Sequence, residues 1–218
     1  FCKIAVSSTA MTLKLLFLSK LDIRPNIQKI LRFDIKYLRL TSGIFFMIIS
    51  LMKNNVILIG MPGAGKSTVG VVLAKLLNYK FVDSDIVIQQ KMKKKLNELI
   101  LGQGEEYFKK IENKINSGLN VKKCVVATGG SVVFGKEAME HFKKIGTVVY
   151  LKVSLDSLEK RLGDLDKRGV VHKPGETLMD IFNERAPLYE KYADIIIDET
   201  NLEISQVARK IEAAIFYK

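Results

Sequence analysis

Apolar residues in this chain follow two rhythms. Five short runs are nearly continuous and rich in β-branched residues: Val56–Gly60, Tyr79–Val82, Cys124–Thr128, Thr147–Val153 and Asp194–Asp198. Runs of this length without polar alternation predict strands covered on both faces, as in a parallel sheet. Between them, apolar residues recur three and four apart, which predicts amphipathic helices. In Thr68–Leu77, for example, Val69, Val72, Leu73, Leu76 and Leu77 fall at helical spacing. Further helices are predicted over Ile86–Lys95, Leu96–Leu101, Glu105–Leu119, Lys136–Lys144, Asp156–Leu162, Thr177–Tyr192 and Leu202–Phe216. This alternation predicts an α/β protein with one five-stranded parallel sheet and helices on both faces, hence three layers. Ligands in such sheets collect beyond the carboxyl ends of the strands.

The residues after the first predicted strand carry chemistry. Gly60-Met61-Pro62-Gly63-Ala64-Gly65-Lys66-Ser67-Thr68 fills the template G-x-x-x-x-G-K-[ST] at every fixed position. Glycines let the backbone curl so that successive N–H groups face one concavity. The following helix adds its N-terminal partial charge, which favours phosphate. Lys66 can reach the outer phosphates of a nucleotide and the Ser67 hydroxyl can bind Mg²⁺. Strand, glycine loop and helix together predict the three-layer P-loop NTPase fold, with Gly60, Gly63, Ala64, Gly65, Lys66, Ser67 and Thr68 around the phosphates of ATP.

The second predicted strand ends at Asp83-Ser84-Asp85. In extended backbone, residues two apart point the same way, so both carboxylates are expected to face the cleft. One suits Mg²⁺; the other suits accepting a proton from an attacking hydroxyl. Taken alone, Asp85 also reads as the N-cap of the helix that follows. Beside a complete phosphate loop, the chemical role is preferred.

Charge narrows the field only slightly. The net charge is +12, but residues 1–52 hold eight Lys/Arg against two Asp/Glu, and residues 53–218 hold 27 against 21. The body is thus mildly basic, which suits a nucleotide site and does not call for nucleic acid. Lys93-Lys94-Lys95 reads as a solvated helix end. Cys2 and Cys124 form neither a zinc template nor a disulfide framework, which fits a reducing cytoplasm. Residues 1–52 look foreign to the body and begin with Phe1. Their longest apolar stretch, Ile44–Met52, is too short to span a bilayer, which takes about 20 residues. They are expected to be an extension of doubtful nativeness, with the working protein starting at Met52 or Met47. An organelle transit peptide is the alternative.

Order and spacing across residues 53–218 resemble the shikimate kinase family. Gly60–Thr68 and Asp83-Ser84-Asp85 are followed by Phe108-Lys109-Lys110-Ile111-Glu112, where that family has Phe-Arg-x-x-Glu. Ala127-Thr128-Gly129-Gly130-Ser131 stands for its triple-glycine turn, Arg168 for its lid arginine, and Arg185-Ala186-Pro187-Leu188-Tyr189 for its Arg-x-x-x-Tyr helix. The resemblance implies ATP-dependent phosphorylation of a shikimate hydroxyl, giving shikimate 3-phosphate in aromatic amino acid biosynthesis. It implies Mg²⁺ at Ser67 and Asp83, Asp85 activating the acceptor, and Lys66 on the ATP phosphates. Gly129 and Gly130 would present N–H groups to the substrate, and Arg185 would pair with its carboxylate. Arg161 would stack on adenine, and Arg168 would close with a lid at about 163–176. On their own, Arg161, Arg168 and Arg185 read equally well as solvated or ion-paired side chains. The expected partner is a small molecule, with no nucleic acid or membrane, and the expected state is a monomer.

Three departures fall on the acceptor and lid side. Lys109 stands where the family has its carboxylate-clamping arginine and is expected to bind the substrate, although lysine cannot make a bidentate pair. Thr128 puts a side chain where the family has glycine. Gly169 follows Arg168 where proline is usual, which loosens the lid. Two other readings therefore stay open: a kinase of the same fold with another acceptor, and a nucleotide-binding regulatory module. A GTPase is disfavoured, because Asn113-Lys114-Ile115-Asn116 lacks the Asp that reads guanine. A helicase or large ATPase is excluded by size and missing downstream motifs.

Overall fold

The structure is a computed structural model and is described over residues 55–162, 170–172 and 175–216. The leader and most of the expected lid, including Arg168 and Gly169, lie outside the described residues.

Strand β1 (Asn55–Ile59) is buried along its whole length. It is the middle strand of a five-stranded sheet with β2 (Lys80–Asp83), β3 (Cys124–Ala127), β4 (Gly146–Lys152) and β5 (Ile195–Asp198), in the order β2-β3-β1-β4-β5. All pairings are parallel; Leu58 of β1 stands opposite Ala127 of β3 and Val149 of β4. Consecutive residues of β1, β3 and β4 are buried, so helices cover both sheet faces. The five predicted runs therefore form the expected strands, with ends shifted by at most one residue.

The helices are α1 (Lys66–Leu77), α2 (Ser84–Met92), α3 (Leu96–Gln103), α4 (Glu105–Ser117), α5 (Lys136–Ile145), α6 (Leu155–Leu162), α7 (Leu178–Tyr192) and α8 (Ile204–Phe216). Helix α1 packs on α8, and α4 on α5. A 3₁₀ turn at Val132–Phe134, not predicted from spacing, carries the chain from β3 to α5. No helix among the described residues is long and apolar enough to cross a membrane.

One buried polar residue anchors the sheet. The Asn55 amide donates to the carbonyls of Val121 and Ile145, at 3.0 and 2.8 Å, and its oxygen accepts from the Cys124 N–H at 3.0 Å. One side chain thus ties the roots of β3 and β4 to β1. Removing it would orphan buried backbone groups at a cost of about 1–3 kcal/mol each.

Because the sheet order reverses around β1, the loop that leaves its carboxyl end opens into a crevice between neighbouring connections. The fold thereby places the glycine loop, the end of β2 and the turn after β3 side by side.

Candidate active site

Gly65 holds φ 76° and ψ 12°, a left-handed conformation that only glycine adopts freely, and it caps α1. The helix accordingly starts at Lys66, two residues before its predicted start. Its first turn carries no acid, so its amides are free to meet an anion. Lys66 is buried, and its Nζ donates to the carbonyls of Gly60 and Met61, both at 2.8 Å. Burial lowers its pKa to about 8, although the Asp85 and Asp83 charges pull the other way. At neutral pH it is therefore still a cation, held at the neck of the loop.

The two acids after β2 converge by a route other than the one expected. Asp83, not Asp85, is the N-cap of α2: its Oδ1 accepts from the N–H groups of Asp85 and Ile86, at 3.0 and 3.4 Å. Asp85 belongs to the first helical turn, so strand alternation is not what brings the pair together. Asp83 Oδ2 accepts from the Ser67 hydroxyl at 2.7 Å. These two hard oxygen donors fit Mg²⁺, which takes one or two protein ligands and fills its remaining positions with water and phosphate. Among the described residues no cluster of three or more His, Cys, Asp or Glu offers an alternative metal site.

Asp85 Oδ1 is buried and makes no hydrogen bond. Burial first, and then the neighbouring Asp83 charge, raises its pKa to about 6, with Lys66 opposing. A carboxylate with this proton affinity is ionised at pH 7 yet is a stronger base than an exposed aspartate.

Lys66 and Asp85 share a cavity of roughly 300 Å³ with Glu112, Gly129, Ser131 and Arg185. Such a volume suits a small ligand. Gly129 is required here by close approach. A β-carbon at this position would stand 2.5 Å from Glu112 Oε1 and 2.8 Å from Asp85 Oδ1. The carbonyl of Gly130 accepts from the Tyr189 hydroxyl at 2.5 Å, which fixes the peptide plane of the turn. Thr128 turns its hydroxyl to the Leu58 carbonyl at 2.9 Å, so this departure from triple glycine is absorbed by the sheet.

Arg185 is 2% exposed. Its Nη2 donates to the Val171 carbonyl, while Nε and Nη1 are buried with no hydrogen-bond partner. Its guanidinium lies over the Phe134 ring at 5.5 Å. A buried guanidinium with unused donors is suited to an incoming carboxylate. Lys109 behaves differently. It pairs with Glu106 at 3.1 Å and Glu105 at 3.8 Å, its Nζ lies 4.9 Å from the centroid of the Phe134 ring, and it does not line the cavity. Arg161 lies at the rim of the loop, with Nη1 3.5 Å from the Gly63 carbonyl and an ion pair to Glu199.

Sequence reasoning assigned no role to Glu112, Ser131 or Tyr189. Glu112 did leave a signal: an acid at the apolar stripe of α4, between the buried Phe108 and Ile115. Its Oε2 accepts from Ser131 Oγ at 2.6 Å. Burial pushes its pKa up to about 8, against the pull of the Ser131 hydrogen bond.

Comparison with known proteins gives one consistent result. A family model described as shikimate kinase matches residues 62–216. The shikimate kinase of Sulfurihydrogenibium sp. (strain YO3AOP1) is 38% identical over 158 residues, covering 72% of this chain and 95% of that protein. Among solved structures, shikimate kinase from Acinetobacter baumannii in complex with shikimate superposes with a TM-score of 0.66 at 28% identity, covering 75% of this chain and 93% of that one. Shikimate kinase from Aquifex aeolicus gives 0.64 at 30% identity, over 73% and 95%.

Proposed function

The chain belongs to the shikimate kinase family, and we infer from this that it transfers the terminal phosphoryl group of ATP to a hydroxyl of shikimate, giving shikimate 3-phosphate and ADP. The observation that best supports the reading at the site is Asp85 Oδ1: buried, unpaired, and in one cavity with the loop lysine.

Asp85 takes the proton of the acceptor hydroxyl as its oxygen bonds to phosphorus. The bond from that phosphorus to the ADP oxygen breaks, and the electron pair leaves with ADP. Lys66 and the loop N–H groups of Gly63, Gly65, Lys66, Ser67 and Thr68 meet the charge that grows on the phosphate oxygens. Ser67 and Asp83 are the residues that would hold Mg²⁺, which supplies further neutralisation of those oxygens. Arg185 holds the acceptor carboxylate through Nε and Nη1, and the N–H groups of Gly129 and Gly130 face the same ligand. Arg161 borders the nucleotide base, and the catalytic role expected of Arg168 falls on a residue outside the described ones. The proposed working state is a monomer acting on a small molecule.

Lys109 takes no part in this scheme. Its engagement with Glu105 and Glu106 leaves carboxylate binding to Arg185 alone. A coupled assay of ADP release with millimolar shikimate tests the reading. Turnover well above the rate without acceptor is expected; a rate equal to that background would contradict it.

A further inference from the structure

The in-line geometry of phosphoryl transfer fixes where the rest of the donor lies. Asp85 and the Gly129 turn follow β2 and β3, so the acceptor attacks phosphorus from that side of the glycine loop. The leaving ADP oxygen stands opposite, and the nucleoside leaves the loop toward β4 and β5. Two elements meet the loop there. The end of α6 is pressed onto it: a β-carbon on Gly63 would stand 2.9 Å from the Leu162 side chain. The turn after β5 carries Glu199, an acid 6% exposed that belongs to none of the motifs and does not line the cavity.

The backbone of Glu199 is tied on both sides. Its N–H donates to the Lys152 carbonyl of β4 at 3.1 Å, and its own carbonyl accepts from the Leu202 N–H at 3.0 Å. Asp198 closes the same turn by accepting from the Thr200 N–H at 2.9 Å. The carboxylate so placed pairs with Nη1 of Arg161, which also lies 3.5 Å from the Gly63 carbonyl. No other ion pair among the described residues includes Glu199. The acid is buried while the arginine side chain is 44% exposed, so the guanidinium is fixed at one edge and left open elsewhere. An arginine this near the loop, without a fixed anion, would swing onto the phosphates. Held by Glu199, it presents a flat face, which suits an aromatic base. We propose that Glu199 is a positioning residue for the donor nucleotide: through Arg161 it turns a phosphate-seeking side chain into a platform for the base. The proposal rests on the reading of Arg161 as bordering the base and deepens it.

The base must then be felt separately from the phosphates. Titration calorimetry on the full chain measures the Kd of Mg-pyrophosphate, which has no base, and of Mg-ADP. The first divided by the second gives the share of affinity due to the nucleoside. Glu199→Ala should lower this ratio about 10-fold, mainly by weakening Mg-ADP, a split that general loosening of the loop would not produce. Adding Arg161→Ala to Glu199→Ala should lower it no further, because the platform is already lost. An unchanged ratio in Glu199→Ala, or a second fall of similar size in the double variant, would overturn the proposal. Pyrophosphate binding itself shows that the loop is formed. If Glu199→Ala does not bind it, Glu199→Gln, which keeps the volume without the charge, decides: a fall of about 3-fold is expected, and no change overturns the proposal. Shikimate turnover by the wild type is a separate result. Its absence refutes the function reading, whereas normal turnover with an unchanged ratio refutes the Glu199 assignment alone.

Discussion

The stability advantage of Glu112→Gln over the wild type should grow as pH rises. In the folded chain the Glu112 carboxyl holds its proton up to about pH 8, whereas the ordinary value is 4.5. Between these values the folded state binds a proton that the unfolded state has released. Stability must then fall as pH increases, because the slope follows protons bound unfolded minus protons bound folded. The contribution is complete below pH 4.5, is lost progressively through the window, and is gone above about pH 8. One pH unit is worth about 1.4 kcal/mol, so the span has a ceiling of about 5 kcal/mol. Glutamine has nothing to ionise and keeps an oxygen for Ser131. The expected result is a variant whose advantage over wild type grows by at least about 2 kcal/mol between pH 5 and pH 8. Urea unfolding of both proteins at four pH values, with slopes compared to confirm a common transition, measures it. Parallel stability curves would refute the reasoning, since they would mean that Glu112 is ionised inside the fold.

Three further outcomes follow from the same geometry. Gly129→Ala puts a methyl group onto Glu112 Oε1 and Asp85 Oδ1, and should lower kcat/KM for shikimate by about 100-fold, equivalent to about 3 kcal/mol, while nucleotide affinity holds; an unchanged KM for shikimate would contradict the close approach. Thr128→Val loses the bond to the Leu58 carbonyl and should cost about 1 kcal/mol of stability without changing the KM for shikimate, a pair of results read by unfolding and steady-state kinetics. Arg185→Lys replaces a buried fork by a point charge, and the KM for shikimate should rise on the order of 100-fold with little change in the KM for ATP.

Where a role depends on neighbours in sequence, the sequence was legible. Val56–Ile59, the glycine loop and α1 are contiguous, so strand, cradle and helix could be read directly, and the fold class followed from repeating that alternation. The acids after β2 were identified, but their geometry was not. Whether Asp83 or Asp85 caps α2 depends on where the helix starts, and propensity fixes that only to within a residue or two. Roles that depend on distant partners were hidden. Nothing local to Asn55 indicates that it ties Val121, Cys124 and Ile145. The Thr128 departure looked disruptive until its hydroxyl was seen on β1. Lys109 could be recognised as unable to make a fork, but its capture by Glu105 and Glu106 is a matter of rotamers. Glu112 stood in the open, as a charge on an apolar stripe, and only the fold shows which oxygen is spoken for.

The most direct test of the central claim follows the phosphoryl group itself. Phosphorus NMR of ATP and shikimate incubated with the wild type should show a phosphate monoester at the 3-oxygen of shikimate, formed in step with ADP. Asp85→Asn should slow its appearance by about 100- to 10,000-fold while still binding Mg-ADP. ADP formed without any shikimate ester, or an Asp85→Asn enzyme that makes the ester at the wild-type rate, would contradict the account.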